Sequence, residues 1–487
     1  MGPSNRALWK LCGIGATRAS GASVSCGHPC STKRRLYFLA DPPHILKNLR
    51  GHLVRGQSIH IPPNVVKAEN LPSDEVSVRH IRKVAEIDAE HDLKLAPHLK
   101  LKYLDPSHYE KMNVSSAVAV LNHAVAAAIR VLVQLGKLEK EAMTTAWFLE
   151  QVDKWFCLMS SRSVSTGLSN FKENKHQDAV CFLEVFARLM SAVKIKKETQ
   201  NECFKPVQAG IMVSSMCAVR LQDLLLRKCN FKFVMLGRLS QDALEDLFSC
   251  VRAKNPVPRP LEFKLTLRLI MLSQYFRPSH KGSYHVSDRS DLLEFVELRK
   301  GLAREESHSK NDSVASVEPE LLEWEETVTL DALEAQSLCY VAGYATKSVA
   351  GLHRPCAACK AFLEDNLVDK DDELLQFKSY CGAGEKNPLC RPAKKVVNLL
   401  QHTEKVFRQH EDNILNISMS VLAEIVLQSA PSHEYPSCHG IARKLVDKFL
   451  SLRMRIALRK INCAPRAAPS KCGSKSVAMR VLAERLK

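Results

Sequence analysis

Apolar positions recur at helical spacing along most of this chain, and strand-like density appears in only two short places. Residues 34–40 (RRLYFLA) combine aromatic and aliphatic side chains and stop at Asp41-Pro42-Pro43, where two prolines forbid further sheet pairing. The same prolines pre-set a helix over residues 44–53. Residues 76–197 read as helix almost throughout. The most apolar run in them, 117–135, is interrupted by Asn122, His123 and Arg130, which predicts a buried helix rather than a membrane span. Residues 231–236 (FKFVML) predict a second strand. Helices follow over 240–252, with Leu244, Leu247, Phe248 and Val251 as one buried stripe, and over 262–275. Beyond an acidic stretch at 287–328 the pattern is again mainly helical.

Length changes this picture only by predicting several cores, since 487 residues exceed what one usually serves. Charge changes it more. The net charge is +18, and it concentrates at the two ends. Residues 440–487 hold thirteen Lys and Arg against two acids, and residues 1–70 hold ten against two. Basic flanks around an acidic linker suit a polyanionic partner, although such runs are also plain solvated surface. The helix over 444–460 carries Arg453, Arg455, Arg459 and Lys460, which suit either phosphates or water. Seventeen cysteines with no apolar signal stretch in the first thirty residues predict mostly reduced thiols.

Three places carry candidate chemistry. Asp41 lies at the end of a predicted strand, where a carboxylate can serve Mg²⁺, which takes hard oxygen ligands; the plainer reading is a turn aspartate. Asp242 and Glu245 are three residues apart at a helix start, fit to face one ion or to form a capping box. Cys356 and Cys359 have the spacing of a zinc half-site, which Cys438 and His439 complete. Adjacent Cys and His are poor spacing for one ion. Cys381 or Cys390 are alternatives, and buried free cysteines are the reading without metal. Elsewhere, Gly343–Ser348 lacks the second glycine of a phosphate-binding loop and reads as helix, Asn174–Asp178 misses the guanine-reading spacing by one residue, and Cys26–Cys30 reads as a loop.

Residues 41–50 (DPPHILKNLR) resemble the D-P-P-H-x-L-K-N-x-R signature of P-element-type transposases, a family whose vertebrate homologues carry a THAP zinc finger. Ser240-Gln241-Asp242 with Glu245 and Phe248 is similar to that family's S-Q-D-x-L-E-x-x-F helix, which supplies its last acid. The resemblance implies an α/β plus all-α chain. Its RNase H-like catalytic domain, residues 1–70 and 231–286, is split by an all-helical GTP-binding insertion at 71–230. The acidic linker at 287–328 and a helical, basic domain at 329–487 follow. It implies Mg²⁺ on Asp41 and Glu245, with Asp242 beside them, two-metal DNA strand cleavage and transfer, DNA as partner, homo-oligomers, no membrane association, and a nuclear location.

The same resemblance marks departures. Lys111 and Val114 match the start of a helix in the family's GTP site. Residues 155–162 (WFCLMSSR), with Phe156, match an F-D-x-x-N-S-R segment in which Cys157 replaces the Asp and Ser160 the Asn. A carboxylate accepts both guanine N–H groups and a thiol does so poorly, so GTP recognition is expected to be weakened. Residues 2–14 resemble the segment just after the first catalytic aspartate, which in that alignment precedes Met1. The expectation is a chain with the second and third acids only, without the THAP finger and coiled coil. It is then either an inactive transposase fragment or a non-catalytic DNA- or protein-binding factor. A regulatory GTPase is disfavoured by the missing P-loop.

Overall fold

The computed structural model describes residues 3–107, 110–169, 173–196, 204–254, 257–276, 330–352, 356–363, 373–379, 389–415, 417–430, 435–436 and 438–463. The chain divides into two compact units, Met1–Ser240 with Leu321–Lys487, and Gln241–Glu320. The predicted acidic linker lies outside the described residues.

The first unit begins with helix α1 (Pro3–Leu11) and two antiparallel hairpins, β1 (Gly15–Thr17) with β2 (Gly21–Ser23) and β3 (Ser25–His28) with β4 (Ser31–Tyr37). Cys26, Gly27 and His28 therefore sit in a strand rather than in the expected loop. Strand β4 starts and stops three residues earlier than its composition suggests, because Phe38 gives only one further backbone bond, to the Val24 carbonyl. Helix α2 (Pro42–Val54) follows, with Asp41 as its N-cap and Pro42 and Pro43 in its first turn. Ile45, Leu46, Leu49 and Leu53 recur at helical spacing and are buried.

Strand β5 (Ser58–His60), helix α3 (Pro63–Ala68) and strand β6 (Glu75–Val76) lead to helix α4 (Val78–Ala89). The apolar run then folds as two helices, α5 (Val114–Val120) and α6 (His123–Gln134), instead of one. The break is explained by Asn122, whose side chain caps α6 by accepting from the Val125 N–H. Helix α7 (Ala142–Met159) packs on α6, and helix α8 (Glu173–Ala192) packs on α9 (Pro206–Asp223), with β7 (Leu168–Ser169) before α8, β8 (Lys194–Lys196) between α8 and α9, and β9 (Phe233–Val234) after α9. Strand β5 is central in an antiparallel β6-β5-β8 sheet, and β7 pairs with β9. The predicted strand over 231–236 thus shrinks to two residues. A 3-10 turn at Leu236–Leu239 cuts it off, where Gly237 lies so close to the Ser160 carbonyl that a Cβ would approach it to 2.7 Å. Val114–Gln134 and Pro206–Lys228 are long and apolar enough to cross a membrane by length and composition, and 72% and 56% of these windows are buried in the fold.

The second unit contains α10 (Asp242–Lys254) and α11 (Pro260–Phe276), which meet through Phe248 and Phe263 with ring centroids 5.8 Å apart. Of the predicted buried stripe only Val251 is fully covered; Leu244 is 50% and Phe248 37% exposed. Among the described residues of this unit, α10 and α11 leave part of that face uncovered. Asp242 is the first helical residue, and the Gln241 carbonyl accepts from Leu244 and Glu245, so Asp242 is not the cap its spacing suggested.

The chain returns to the first unit with α12 (Ala332–Leu352), α13 (Ala357–Leu363), α14 (Glu373–Phe377), α15 (Lys394–Gln409), α16 (Met419–Ser429) and α17 (Ile441–Cys463). Gly343–Ser348 is helical, as expected, and Gly343 lies against the Cys390 carbonyl where no Cβ fits. Leu338, Val349, Leu399, Phe407, Leu422 and Phe449 form a second core.

Arg453 neither faces phosphate nor water, as its helix had suggested. It is 1% exposed, pairs with Glu404 at 2.6 Å and with Asp92 at 3.4 Å, and lies 4.7 Å over the Phe407 ring. Glu404, fully buried, also takes Arg408 at 2.8 Å, and Lys460 pairs with Asp92 at 3.2 Å. Burial drives the Glu404 carboxyl up, and the two guanidinium groups oppose that shift. Arg455 and Arg459 remain exposed. Removing one member of a buried pair leaves the other charge uncompensated. Glu404→Gln is therefore expected to lower the unfolding free energy by about 3–5 kcal/mol, read by urea titration; a change within error would show that this network is not a structural hub.

Candidate functional site

The residues before Asp41 are held by one hydroxyl. Ser214 Oγ on α9 accepts from the Ala40 N–H at 3.0 Å and donates to the Ala40 carbonyl at 2.8 Å, satisfying both polar groups of a buried residue. Behind it α9 comes close to α2, where Gly210 faces Ile45 at 3.3 Å from an ideal Cβ. Asp41 is thus delivered at a fixed point between β4 and α2. Its side chain is 6% exposed, and Oδ2 accepts from the His44 N–H at 3.3 Å and lies 2.6 Å from His44 Nδ1. The capping role and the imidazole contact orient the carboxylate. His44, part of the signature helix, is a functional candidate that the strand-end argument passed over.

Asp242 and Glu245 stand in the first turn of α10, in the second unit; Asp242 is half-buried and Glu245 exposed. Acids suit the positive end of a helix dipole.

Lys111 is exposed on a 3-10 turn, Glu110–Met112, that precedes α5, and Val114 is the first residue of α5. This turn is fastened from beneath by Arg50, the last residue of the 41–50 signature. Arg50 is 1% exposed and donates from Nη2 to the Glu110 and Lys111 carbonyls at 3.0 and 3.2 Å. Desolvation lowers its pKa, and the nearby Glu110 charge opposes this. The final arginine of the signature is therefore a strut for the segment that contains Lys111.

Phe156 is half-buried on α7 and packs against the main core. Cys157, one position on, reaches solvent at its edge, and its sulfur lies 3.9 Å from the Asp153 carboxylate one turn earlier. Desolvation and that negative charge push the thiol up to about 11, so it is neutral at pH 7. Asp153 is buried and was not singled out from the sequence; its signal was an acid on the apolar side of an otherwise hydrophobic helix, four residues before Cys157. Beyond α7, Ser161 Oγ accepts from the Leu236 N–H at 3.1 Å and its carbonyl from Gly237 at 2.9 Å. Ser161 serves the backbone here. Asn174–Asp178 falls at the start of α8.

The four zinc candidates converge. Ligand atoms of Cys356, Cys359, Cys438 and His439 all lie within 4.8 Å of one another. Cys438 Sγ is 3.4 Å from both Cys356 Sγ and Cys359 Sγ, and Cys359 Sγ is 3.7 Å from His439 Nδ1. Cys356 precedes α13 and Cys359 lies in its first turn. Cys438 and His439 form a turn before α17. Adjacent residues ordinarily diverge, but His439 adopts φ +63°, which turns its ring back beside Cys438. Backbone and thiol donors lower the Cys356 thiol to about 6, while burial and its sulfur neighbours raise Cys359 to about 12. Cys390 instead contacts the Arg391 carbonyl, and Cys381 lies outside the described residues.

Loss of the Ser214 hydroxyl leaves both Ala40 groups without their partner. Ser214→Ala is expected to cost about 1–3 kcal/mol in denaturant unfolding; an unchanged midpoint would count against Ser214 as the anchor of the Asp41 segment.

Two family models match the chain. Residues 44–174 match the TNP-like, GTP-binding insertion domain, and residues 329–454 match the C-terminal domain of the DNA transposase THAP9. The Drosophila melanogaster transposable element P transposase is 22% identical over 432 residues, which is 88% of this chain and 53% of the relative. The chain thus spans about half the length of that relative. The solved Drosophila P element transposase strand transfer complex is similar at a TM-score of 0.46 and 20% identity, over 57% of this chain and 59% of the other. Matches on both sides of the chain and a relative aligned along most of it agree with the signature at 41–50: this protein belongs to the P-element-type transposase family.

Proposed function

We propose that this protein binds DNA in the nucleus, and that its ancestral chemistry is metal-dependent DNA strand cleavage and transfer. The observation that carries the reading is the pair of family matches, at 44–174 and 329–454, bracketing the S-Q-D-x-x-E-x-x-F segment. The relative is by name a transposase, and the net charge of +18 supplies the cationic surface that a polyanion requires. The RNase H-like reading of residues 1–70 and 231–286 rests on the family resemblance. The antiparallel hairpins that lead to Asp41 support it. Homo-oligomers belong to the same proposal.

Asp41 and Glu245, each on its own motif, are assigned as carboxylate ligands of Mg²⁺, with Asp242 as the adjoining acid. Oxygen donors suit Mg²⁺, which when bound would polarise a phosphate oxygen and activate the attacking group. His44 fits the role of orienting the Asp41 carboxylate. The chain is expected to bind duplex DNA. In fluorescence anisotropy the affinity should fall by roughly 10³-fold between 50 and 200 mM salt. Salt-independent binding, or none, would remove the DNA reading. Mg²⁺- or Mn²⁺-dependent nicking that Asp41→Ala abolishes would support the ancestral chemistry at Asp41, and nicking that survives Asp41→Ala would remove Asp41 from it.

The second reading, a non-catalytic DNA- or protein-binding factor, is favoured by Cys157. GTP fits the insertion poorly. A guanine base presents two N–H donors, and a neutral thiol beside the Asp153 carboxylate is a weak acceptor for them. Lys111, Val114 and Phe156 remain the proposed nucleotide contacts from this chain. Calorimetry is expected to show no tight GTP binding, and Cys157→Asp to raise GTP affinity at least about tenfold without doing so for ATP, since a charged acceptor strengthens hydrogen bonds. Tight GTP binding by the unaltered chain would refute this view of Cys157.

A further inference from the structure

Cys356, Cys359, Cys438 and His439 are remote in sequence from every residue assigned to DNA or nucleotide chemistry, and none of the similarities to known proteins assigns them a role. Three thiols and an imidazole within 4.8 Å of one another form a set of soft metal donors whose contacts with one another are only the weak hydrogen bonds of sulfur. The sulfur separations of 3.4 Å are far beyond the ~2.05 Å of a disulfide. They lie close to the edge, about 3.8 Å, of a tetrahedron built on 2.3 Å zinc–sulfur bonds. The 3.7 Å between Cys359 Sγ and His439 Nδ1 suits the shorter edge from sulfur to nitrogen.

We propose that these four side chains hold one Zn²⁺ in a closed tetrahedral site, with His439 ligating through Nδ1. Soft thiolates with one imidazole select zinc over the hard cations that carboxylates prefer, and four protein ligands leave no position open for substrate. The role is structural. Cys356 and Cys359 belong to the start of α13, and Cys438 and His439 to the turn that launches α17, 79 residues after Cys359. The ion closes that loop and fixes where α17 begins. Phe362 and Tyr435 pack edge to face at 5.6 Å, joining the same two segments. The left-handed φ of His439 is the local distortion that the site requires, and Gly440 at φ +56° continues the turn.

The test uses the full chain purified without chelator. Elemental analysis is expected to find one zinc per chain, lost in Cys438→Ser and retained in Cys390→Ser. Cobalt substitution should give intense visible bands of tetrahedral coordination with a thiolate-to-cobalt band, shifted but kept in His439→Cys. That variant preserves four ligands and so separates loss of metal from loss of fold. Chelation should expose three further cysteines to alkylation and lower the melting temperature. A native chain without stoichiometric zinc, a Cys356–Cys438 or Cys359–Cys438 disulfide by mass spectrometry, or Cys438→Ser that keeps its metal would each overturn the site.

Discussion

The first unit depends on one short connection, residues 90–99, which joins two cores that the sequence keeps far apart. Leu93 enters the core of the carboxyl-terminal helices, whereas Leu95, Ala96 and Leu99 enter the core of α2 and α4–α9. The segment is irregular, so its backbone groups need partners from elsewhere. Asp88 supplies two of them, accepting from the Leu95 and Ala96 N–H groups at 2.9 and 2.8 Å. Lys378 reaches across from after α14 to donate to the Leu95 carbonyl at 2.7 Å, its ammonium 3.9 Å over the Tyr340 ring. Burial pushes Lys378 down to about 8, and the nearby Asp88 charge opposes the shift.

Polar groups finish the connection on both sides. Asp92 takes Arg453 and Lys460 from α17, and His91 and Lys137 both reach Asp331 at the start of α12. Such pairs, where buried, add little net stability by comparison with apolar packing, yet they strongly penalise any other register of the two cores. The geometry of α17, including the turn with Cys438 and His439, is in this way tied to the amino-terminal half of the chain.

Much of this was legible in the residues and some could not be. The prolines and apolar spacing of α2 were enough to place it, because its cap and buried face are local. The Cys356, Cys359, Cys438 and His439 set was visible as a donor list, but its convergence depends on a left-handed backbone at His439 that no residue type announces. Arg453 read as a surface cation because its partners lie 49 and 361 residues away. Ser214 carried no signal, since a serine in an apolar helix gives no hint that it will serve a carbonyl 174 residues earlier. The stripe on α10 shows the opposite error: periodicity marks an apolar face without saying which of its residues are covered, and Leu244 and Phe248 stay exposed.

The connection at 90–99 also has a consequence in time. On the ribosome, Asp92 emerges long before Arg453, its partner 361 residues on. At synthesis rates of about 5–20 residues per second, that carboxylate waits roughly 20–70 s for its counter-charge. Through that interval Leu93 has no second core to enter, and the amino-terminal helices must stand with one flank unfinished. Completion of this fold is therefore a late event, reached only when the helix that starts at Ile441 is free of the tunnel.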